Sequence, residues 1–286
     1  MQLSEALAAY LTQLQADGRS THTIHQARRH ARMLVDALGD PPAARLTHAE
    51  VARFLASDRV QRTADGRPRR PSSGNALRSS IRGFANYLHA AGLTRANAGR
   101  LVRRSRVPPS RPRAIPEEDA RRLLAALERG TSPTDARDRA LVLVLLRAGL
   151  RVGSAVALDV EDFQGDRLVL RSMKGGGEDV AFLPPEVARV LAEYVGDRTS
   201  GPLFARADGV RLTTRQVARR IAEWAKKAGI LGRVSPHRLR HAFAMAVYER
   251  TQDVIVTARA LGHRSLAAVS VYARPSERRV REAMGA

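Results

Sequence analysis

Residues 235–241 have the sequence Ser-Pro-His-Arg-Leu-Arg-His, which is typical of the start of a helix. A serine before a proline supplies an N-cap followed by proline at the first helical position. His237 and Arg240 would then lie one turn apart on the same face of that helix. An exposed cation and an imidazole beside free backbone N–H groups form a site suited to a phosphate group.

The length and composition indicate a globular protein that interacts with a polyanion. The chain has 286 residues, enough for two domains that each bury a core, and 44% of them are hydrophobic. The formal net charge is +21, and an excess of that size is most often the electrostatic footprint of a nucleic-acid-binding protein. The alternatives are a basic surface without such a partner and an anionic membrane surface. The membrane is disfavoured because the basic residues are not confined to one amphipathic helix.

The basic residues are unevenly distributed. Residues 1–113 contain 20 arginines, no lysine and seven acidic residues, so this part has the higher density of positive charge. Such a density is expected of a domain that clamps DNA. Only three lysines occur in the chain, Lys174, Lys226 and Lys227. Because arginine supplies the positive charge elsewhere, an isolated lysine such as Lys174 suggests a need for a proton that can leave.

The absence of some residue types and segments narrows the function. The chain contains no cysteine, which excludes disulfides, thiol nucleophiles and cysteine zinc sites. No carboxylate cluster with metal-ligand spacing accompanies the histidines, so neither a metal nor another cofactor is expected, and a metal-dependent nuclease is disfavoured. There is no apolar run of 18 residues and no signal peptide. We therefore expect a cytoplasmic protein without a membrane partner.

Hydrophobic periodicity predicts an all-α domain over residues 1–107. Thr47 and Glu50 form a capping-box pattern at the start of one helix, and Gly92 ends the last. The predicted helices span residues 1–15, 21–38, 47–56 and 73–91, with a basic loop at 63–73. Residues 108–113 lie in a proline- and arginine-rich stretch that cannot form a regular element, so we expect an extended linker there.

The remaining residues, 114–286, are predicted to form a mixed α/β domain. Apolar periodicity predicts helices over residues 116–129, 133–146, 185–195 and 214–228. Residues 167–173 and 179–183 have the composition of strands, and the Lys174-Gly-Gly-Gly177 segment between them indicates a β-hairpin with the lysine at its tip. The expected fold is therefore mainly α with a small β-sheet.

An ordered set of residues crosses the second domain. It comprises an arginine in Gly-Leu-Arg-Val-Gly, the hairpin lysine, the His-x-x-Arg-His helix start, Leu-Gly-His and a tyrosine nine residues later: Arg151, Lys174, His237, Arg240, His263 and Tyr272. Taken singly, these residues have ordinary structural explanations. Arg151 could cap the preceding helix, Lys174 could be a solvated turn residue, and His263 could neighbour a helix C-cap. Tyr272 alone would be assigned to the core. The joint pattern, in this order over 122 residues, is not expected by chance.

This set resembles the tyrosine recombinase (phage integrase) family, and the layout of a small helical domain followed by this one is similar to the Xer-like site-specific recombinases. The resemblance implies a SAM-like core-binding domain (1–107) and a tyrosine-recombinase catalytic domain with a C-terminal tail (114–286). It also implies cutting and rejoining of double-stranded DNA through a 3′-phosphotyrosyl intermediate and a Holliday junction, without metal or ATP. A homo-tetramer on two duplexes, in some cases shared with a second recombinase, would carry this out.

Cleaving a phosphodiester without a metal requires the oxygens of the phosphate to be neutralised. Arg151 and Arg240 can bind the non-bridging oxygens bidentately, and His263 can add a donor to the same phosphate. His241 follows Arg240 but lies about 100° further around the helix. A partly buried structural histidine explains it as well as an active-site contact does, so it is left out of the predicted site.

The same cleavage requires a nucleophile, a base and an acid. Tyr272 is the candidate nucleophile, and its pKa of about 10 means that it needs a base. His237 is the candidate base, and Lys174 is the candidate acid for the leaving 5′ oxygen; the resemblance implies the same roles. Tyr248 is a rival nucleophile, but it lies about 12 Å along the helix from Arg240 and would not reach a phosphate held at the helix start.

One position departs from the family pattern. An acidic residue usually stands three positions after the first arginine, where this chain has Ser154. The departure removes a carboxylate that orients neighbouring groups. It leaves open the alternative of a catalytically silent DNA-binding protein. A type IB topoisomerase-like DNA-relaxing enzyme also stays open, because it shares the same chemistry without synapsis. Residues 277–283 are predicted to form a short tail helix, which we expect to dock on a neighbouring protomer.

Overall fold

The protein is represented by a computed structural model that describes residues 1–107, 114–171, 178–262, 281 and 284–285. Lys174, His263 and Tyr272 lie outside the described residues, as does nearly all of the predicted tail helix. The chain divides into two compact units, Met1–Pro109 and Ser110–Ala286. The described residues are mainly helical with one two-stranded sheet, so the predicted fold class is confirmed.

The first unit is all-α in its described residues. Its elements are α1 (Leu3–Ala16), α2 (Thr21–Leu38), a 3₁₀ turn (Ala43–Arg45), α3 (His48–Ala56), α4 (Asp58–Gln61) and α5 (Pro71–Ala90). The predicted capping box is present, because the Glu50 N–H donates to the Thr47 hydroxyl at 3.3 Å and the Thr47 N–H donates to the Glu50 carboxylate at 2.7 Å. Helix α5 begins two residues earlier than predicted, with Pro71 at its first position.

A second group of helices forms the other unit around a buried central helix. The elements are α6 (Glu117–Glu128), α7 (Pro133–Arg147), α8 (Val152–Ala157), a 3₁₀ turn (Val160–Asp162), β1 (Arg167–Arg171), β2 (Glu178–Phe182), α9 (Pro185–Val195), α10 (Thr214–Lys227), α11 (Pro236–Thr251) and α12 (Val254–Ala260). Helix α7 is buried without interruption from Ala140 to Leu146. A helix that is apolar all round belongs in a core, and α6, α9 and α11 pack around it.

A buried polar cluster ties α7 to α10. Asp138, 1% exposed, accepts hydrogen bonds from Arg137 (2.7 Å), from Arg220 (2.7 Å) and from the Trp224 indole N–H (2.9 Å). A carboxylate taken out of water is tolerated because these donors replace its hydration. The cluster fixes the position of the only tryptophan in the chain.

The β-hairpin is antiparallel and directs one carboxylate toward the helices. Leu168 pairs with Ala181 and Leu170 pairs with Asp179, and side chains at paired and alternate positions share a face. Leu168 is fully buried, so this is the inward face of the sheet. The hairpin prediction is confirmed, whereas its tip, including Lys174, lies outside the described residues.

Candidate active site

A narrow cleft forms where the end of α7, the strand β2 and the helices α11 and α12 meet. Its lining carries three arginines and two further polar side chains, with glycines at two of the turns: Gly149, Arg151, Ser154, Asp179, Arg240, Arg259 and Gly262. A concave surface with convergent guanidinium groups is suited to an anion such as a phosphate. Two of the residues predicted from sequence, Arg151 and Arg240, therefore lie in one cleft.

Arg240 is buried, which corrects the expectation of an exposed cation. Only 7% of it is accessible, and its guanidinium donates to the carbonyl of Gly149 and, at 2.6 Å, to the carbonyl of Leu261. Leu261 is the C-cap of α12, and Gly149 follows the end of α7. Carbonyls at helix ends lack intrahelical partners and carry partial negative charge, so they stabilise the buried guanidinium.

Arg151 is exposed and lies at the start of the short helix α8. Its backbone takes the N-cap position, and its carbonyl accepts a hydrogen bond from Ala155 at 2.9 Å. Within the described ranges its guanidinium makes no hydrogen bond to the end of α7, so the capping alternative for this side chain has no support there. Because the exposed side chain lines the cleft, its charge can face a ligand.

The start of α11 has the predicted position but not the predicted cap. Ser235 is the N-cap residue with Pro236 at the first position, yet its hydroxyl accepts no capping hydrogen bond. Instead the Ser235 carbonyl accepts the N–H groups of Arg238 (2.9 Å) and Leu239 (3.1 Å). His237 is exposed while Arg240 is buried, so the two residues flank the border between solvent and core.

His241, which the sequence did not place in the site, contacts His237 directly. The two Nε2 atoms are 3.0 Å apart, and the rings meet edge-on with their centroids 4.2 Å apart. His241 is half-buried; burial lowers its pKa to about 4, with further contributions from the charges of His237 and Arg240. The sequence signal was available, because residues four apart on a helix are neighbours.

Two glycines allow the chain to turn at the edges of the cleft. Gly149 has φ +65°, and a Cβ there would be 2.8 Å from Cγ of Phe243 and closer still to other atoms of that ring. Gly262 has φ +57°, and a Cβ there would be 2.8 Å from a carboxylate oxygen of Asp179. Gly149 therefore requires glycine for conformation and for space, whereas Gly262 requires it for conformation, because the carboxylate of Asp179 can rotate away. Gly262 directly precedes His263, which lies outside the described residues.

The position without the usual acid also faces this cleft. Ser154 is half-buried on α8, and Asp179 lines the same cleft from β2. Asp179 was not singled out from the sequence, since a single aspartate in a short strand carries no motif. In the described part of the chain no three histidines, cysteines or acidic residues are grouped to hold a metal ion. No helix among the described residues is long and apolar enough to cross a membrane.

Comparison with known proteins identifies the family. Residues 113–279 match the phage integrase family. The chain is 31% identical to tyrosine recombinase XerC of Chromobacterium violaceum over 94% of this chain and 90% of that protein, and 31% identical to tyrosine recombinase XerA of Pyrococcus furiosus over 98% and 93%. A λ integrase tetramer bound to a Holliday junction shares the fold, with a TM-score of 0.69 and 19% identity over 93% of this chain and 78% of that chain. This chain therefore belongs to the phage integrase family and is a tyrosine recombinase.

Proposed function

We propose that this protein is a site-specific recombinase that cuts and rejoins DNA strands through a 3′-phosphotyrosyl bond to Tyr272. The observation that carries the proposal is the cleft in which Arg151 and Arg240 converge beside the start of α11. An anion there would meet an exposed guanidinium from one side and a buried one from the other. The five N–H donors of a guanidinium can serve carbonyls and a phosphate at the same time.

The strand-cleavage step assigns one role to each remaining residue. The Tyr272 oxygen attacks the phosphorus as its proton passes to His237, and the bond from phosphorus to the 5′ oxygen breaks. Lys174 supplies the proton that the leaving 5′ oxygen takes up. His263 donates to the phosphate with the two arginines. The bond energy is kept in the tyrosyl ester, so a 5′ hydroxyl can reverse the step and rejoin a strand without ATP or metal.

The charge distribution supports a DNA partner that is gripped by both domains. The net charge of +21 far exceeds what solubility requires, and residues 1–113 carry 20 of the basic residues as arginine. Neutralising many phosphates releases counterions, so binding should weaken steeply as salt rises. By analogy with the λ integrase tetramer on a Holliday junction, we propose four protomers acting on two duplexes.

Covalent trapping tests this function. The full chain is incubated in EDTA with nicked duplex fragments of its own genome, and denatured samples are examined for a protein–DNA adduct. We expect an adduct with the wild-type protein and with Tyr248→Phe, the matched control on α11, but none with Tyr272→Phe. An adduct that persists in Tyr272→Phe, or one that forms only when a divalent metal is added, would refute the proposed mechanism.

Recombination itself needs a second readout. A fragment that yields an adduct is placed on two distinguishable duplexes, and the products are separated by size. Exchanged strands and four-way junctions are expected. Adducts accompanied only by relaxation of supercoiled DNA would replace the recombinase proposal with a relaxing enzyme of the same chemistry.

A further inference from the structure

The contact between His237 and His241 constrains where protons can reside. Their Nε2 atoms are 3.0 Å apart, a hydrogen-bond distance, and the two residues are one turn apart on α11. A hydrogen bond at this distance has one proton between the two nitrogens. If neither Nε2 atom carried a proton, two lone pairs would face each other and repel. If both carried one, the two N–H groups would clash. One proton therefore lies between the two Nε2 atoms, covalently bound to either His237 or His241.

The histidine to which that proton is bound determines whether a nitrogen of His237 is available as a base. A neutral imidazole has one N–H and one lone pair. If His241 donated, the Nε2 lone pair of His237 would be occupied and its Nδ1 would carry the hydrogen, so His237 would have no nitrogen left to accept a proton. If His237 donates from Nε2, its Nδ1 keeps a lone pair. Only the second arrangement is compatible with a base.

We propose that His241 is a positioning residue that accepts the Nε2–H of His237 and thereby makes Nδ1 of His237 the proton-accepting nitrogen. This inference rests on the proposed role of His237 as the base for Tyr272. In the cleavage step the tyrosine proton moves to Nδ1, and the imidazolium keeps its Nε2–H bonded to His241. No second proton has to move in this step.

The surroundings of His241 suit an acceptor of this kind. The side chain is half-buried, and burial together with the charges of His237 and Arg240 lowers its pKa to about 4, so it stays neutral near pH 7. His237 is exposed and can meet a substrate, while its partner is half-buried. A hydrogen bond from a base to a fixed acceptor selects one tautomer and one ring orientation.

The tautomer can be measured in the free protein by ¹⁵N NMR of the imidazole nitrogens. His237→Gln assigns the His237 signals by their loss, and His25→Gln, at an exposed histidine of the other unit, is the control. We expect wild-type His237 to carry its hydrogen on Nε2, with an unprotonated Nδ1. A hydrogen on Nδ1 in the wild-type protein would overturn the proposal, whatever the trapping experiment gives.

Three substitutions of His241 separate the hydrogen bond from packing. His241→Gln places an amide oxygen near the position of Nε2 and can still accept, whereas His241→Asn is too short and His241→Phe has no acceptor. We expect the Gln variant to keep the tautomer and the single-turnover cleavage rate within a few-fold. The Asn and Phe variants should lose the tautomer preference and cleave about 10- to 100-fold more slowly, a part of what general-base catalysis contributes.

The readouts distinguish failure of this inference from failure of the proposed function. DNA affinity should not change among the three variants, because His241 makes no phosphate contact in the proposed mechanism. Equal cleavage by the Phe and Gln variants would refute the positioning role while leaving the recombinase proposal intact. Absence of any Tyr272 adduct in the wild-type protein would refute the proposed function. The NMR measurement of the His237 tautomer does not depend on that adduct and would still test the hydrogen bond to His241.

Discussion

Gly149→Ala is expected to destabilise the second unit by about 2–5 kcal/mol. An L-residue at φ +65° costs about 1–2 kcal/mol. The new Cβ would also lie 2.8 Å from Cγ of Phe243 and nearer to other ring atoms, and overpacking of this kind costs about 1–3 kcal/mol. Phe243 packs on the small cluster of Ala244, Ala258 and Leu261, so it cannot retreat without loss elsewhere.

Urea unfolding followed by the fluorescence of Trp224 measures this cost. Trp224 is the only tryptophan, is 3% exposed and lies in the same unit, so its fluorescence reports the unfolding of the second unit. The control is Gly165→Ala in the same unit, with φ +75° and no atom within 4 Å of the new Cβ. This control should lower the free energy of unfolding only by the cost of placing an L-residue at positive φ, about 1–2 kcal/mol.

The difference between the two glycine variants isolates the contact with Phe243. Equal destabilisation by Gly149→Ala and Gly165→Ala would refute the argument from close approach. A double-mutant cycle adds a second check, because Phe243→Ala should cost less in the Gly149→Ala background than in the wild-type protein. Since the Gly149 carbonyl also accepts from Arg240, the variant should cleave DNA more slowly even where it remains folded.

Three further predictions concern other parts of the chain. Asp138→Asn should destabilise the second unit by about 3–5 kcal/mol in urea unfolding, because the buried Arg137 loses its counter-charge; a loss below 1 kcal/mol would contradict this. Arg240→Lys should slow adduct formation by about 10²–10³-fold, because one ammonium cannot span two carbonyls and a phosphate; a change of a few-fold in gel-based trapping would argue against it. Burial lowers the pKa of His30 to about 4 from 6.5, with Arg29 and Arg69 adding to the effect, so the unfolded state binds the proton more readily. The contribution of neutral His30 to the free energy of unfolding of the first unit should be fully present above pH 6.5 and should fall by up to about 3 kcal/mol toward pH 4. Hydrogen exchange measured across this pH range should show no such loss of stability in His30→Gln.

Long elements with clear caps could be predicted from sequence. Helix α2 has the predicted bounds, as does α9, because each combines a periodic apolar face with a recognisable stop. The short helices α4, α8 and α12 were missed. They have four, six and seven residues, too few for a periodic signal, and helices of that length depend on tertiary packing.

Of the six predicted site residues the structure describes Arg151, His237 and Arg240, and it shows contacts of theirs that the sequence did not predict. Arg240 was expected to be exposed, because its carbonyl partners, Gly149 and Leu261, are 91 and 21 residues away in the chain. The hydroxyl of Ser235 was expected to cap α11, but the carbonyl of Ser235 accepts the N–H of Arg238, a group that such a cap would bind. Periodicity and capping rules describe neighbours in sequence, so they cannot reveal bonds that the tertiary fold creates.

The two carbonyl bonds of Arg240 restrict how this protein can evolve. One side chain joins the ends of α7 and α12 to the start of α11 and also faces the cleft. A descendant that kept only DNA binding would gain nothing from discarding it, since the same substitution would weaken the fold on which binding depends. Substitutions that abolish strand transfer should therefore occur first at residues that do not stabilise the fold. Arg240 would be retained after the activity had been lost. Its presence in a distant descendant would then be a sign of ancestry, whereas the loss of Tyr272, the proposed nucleophile, would be a sign that strand transfer had been lost.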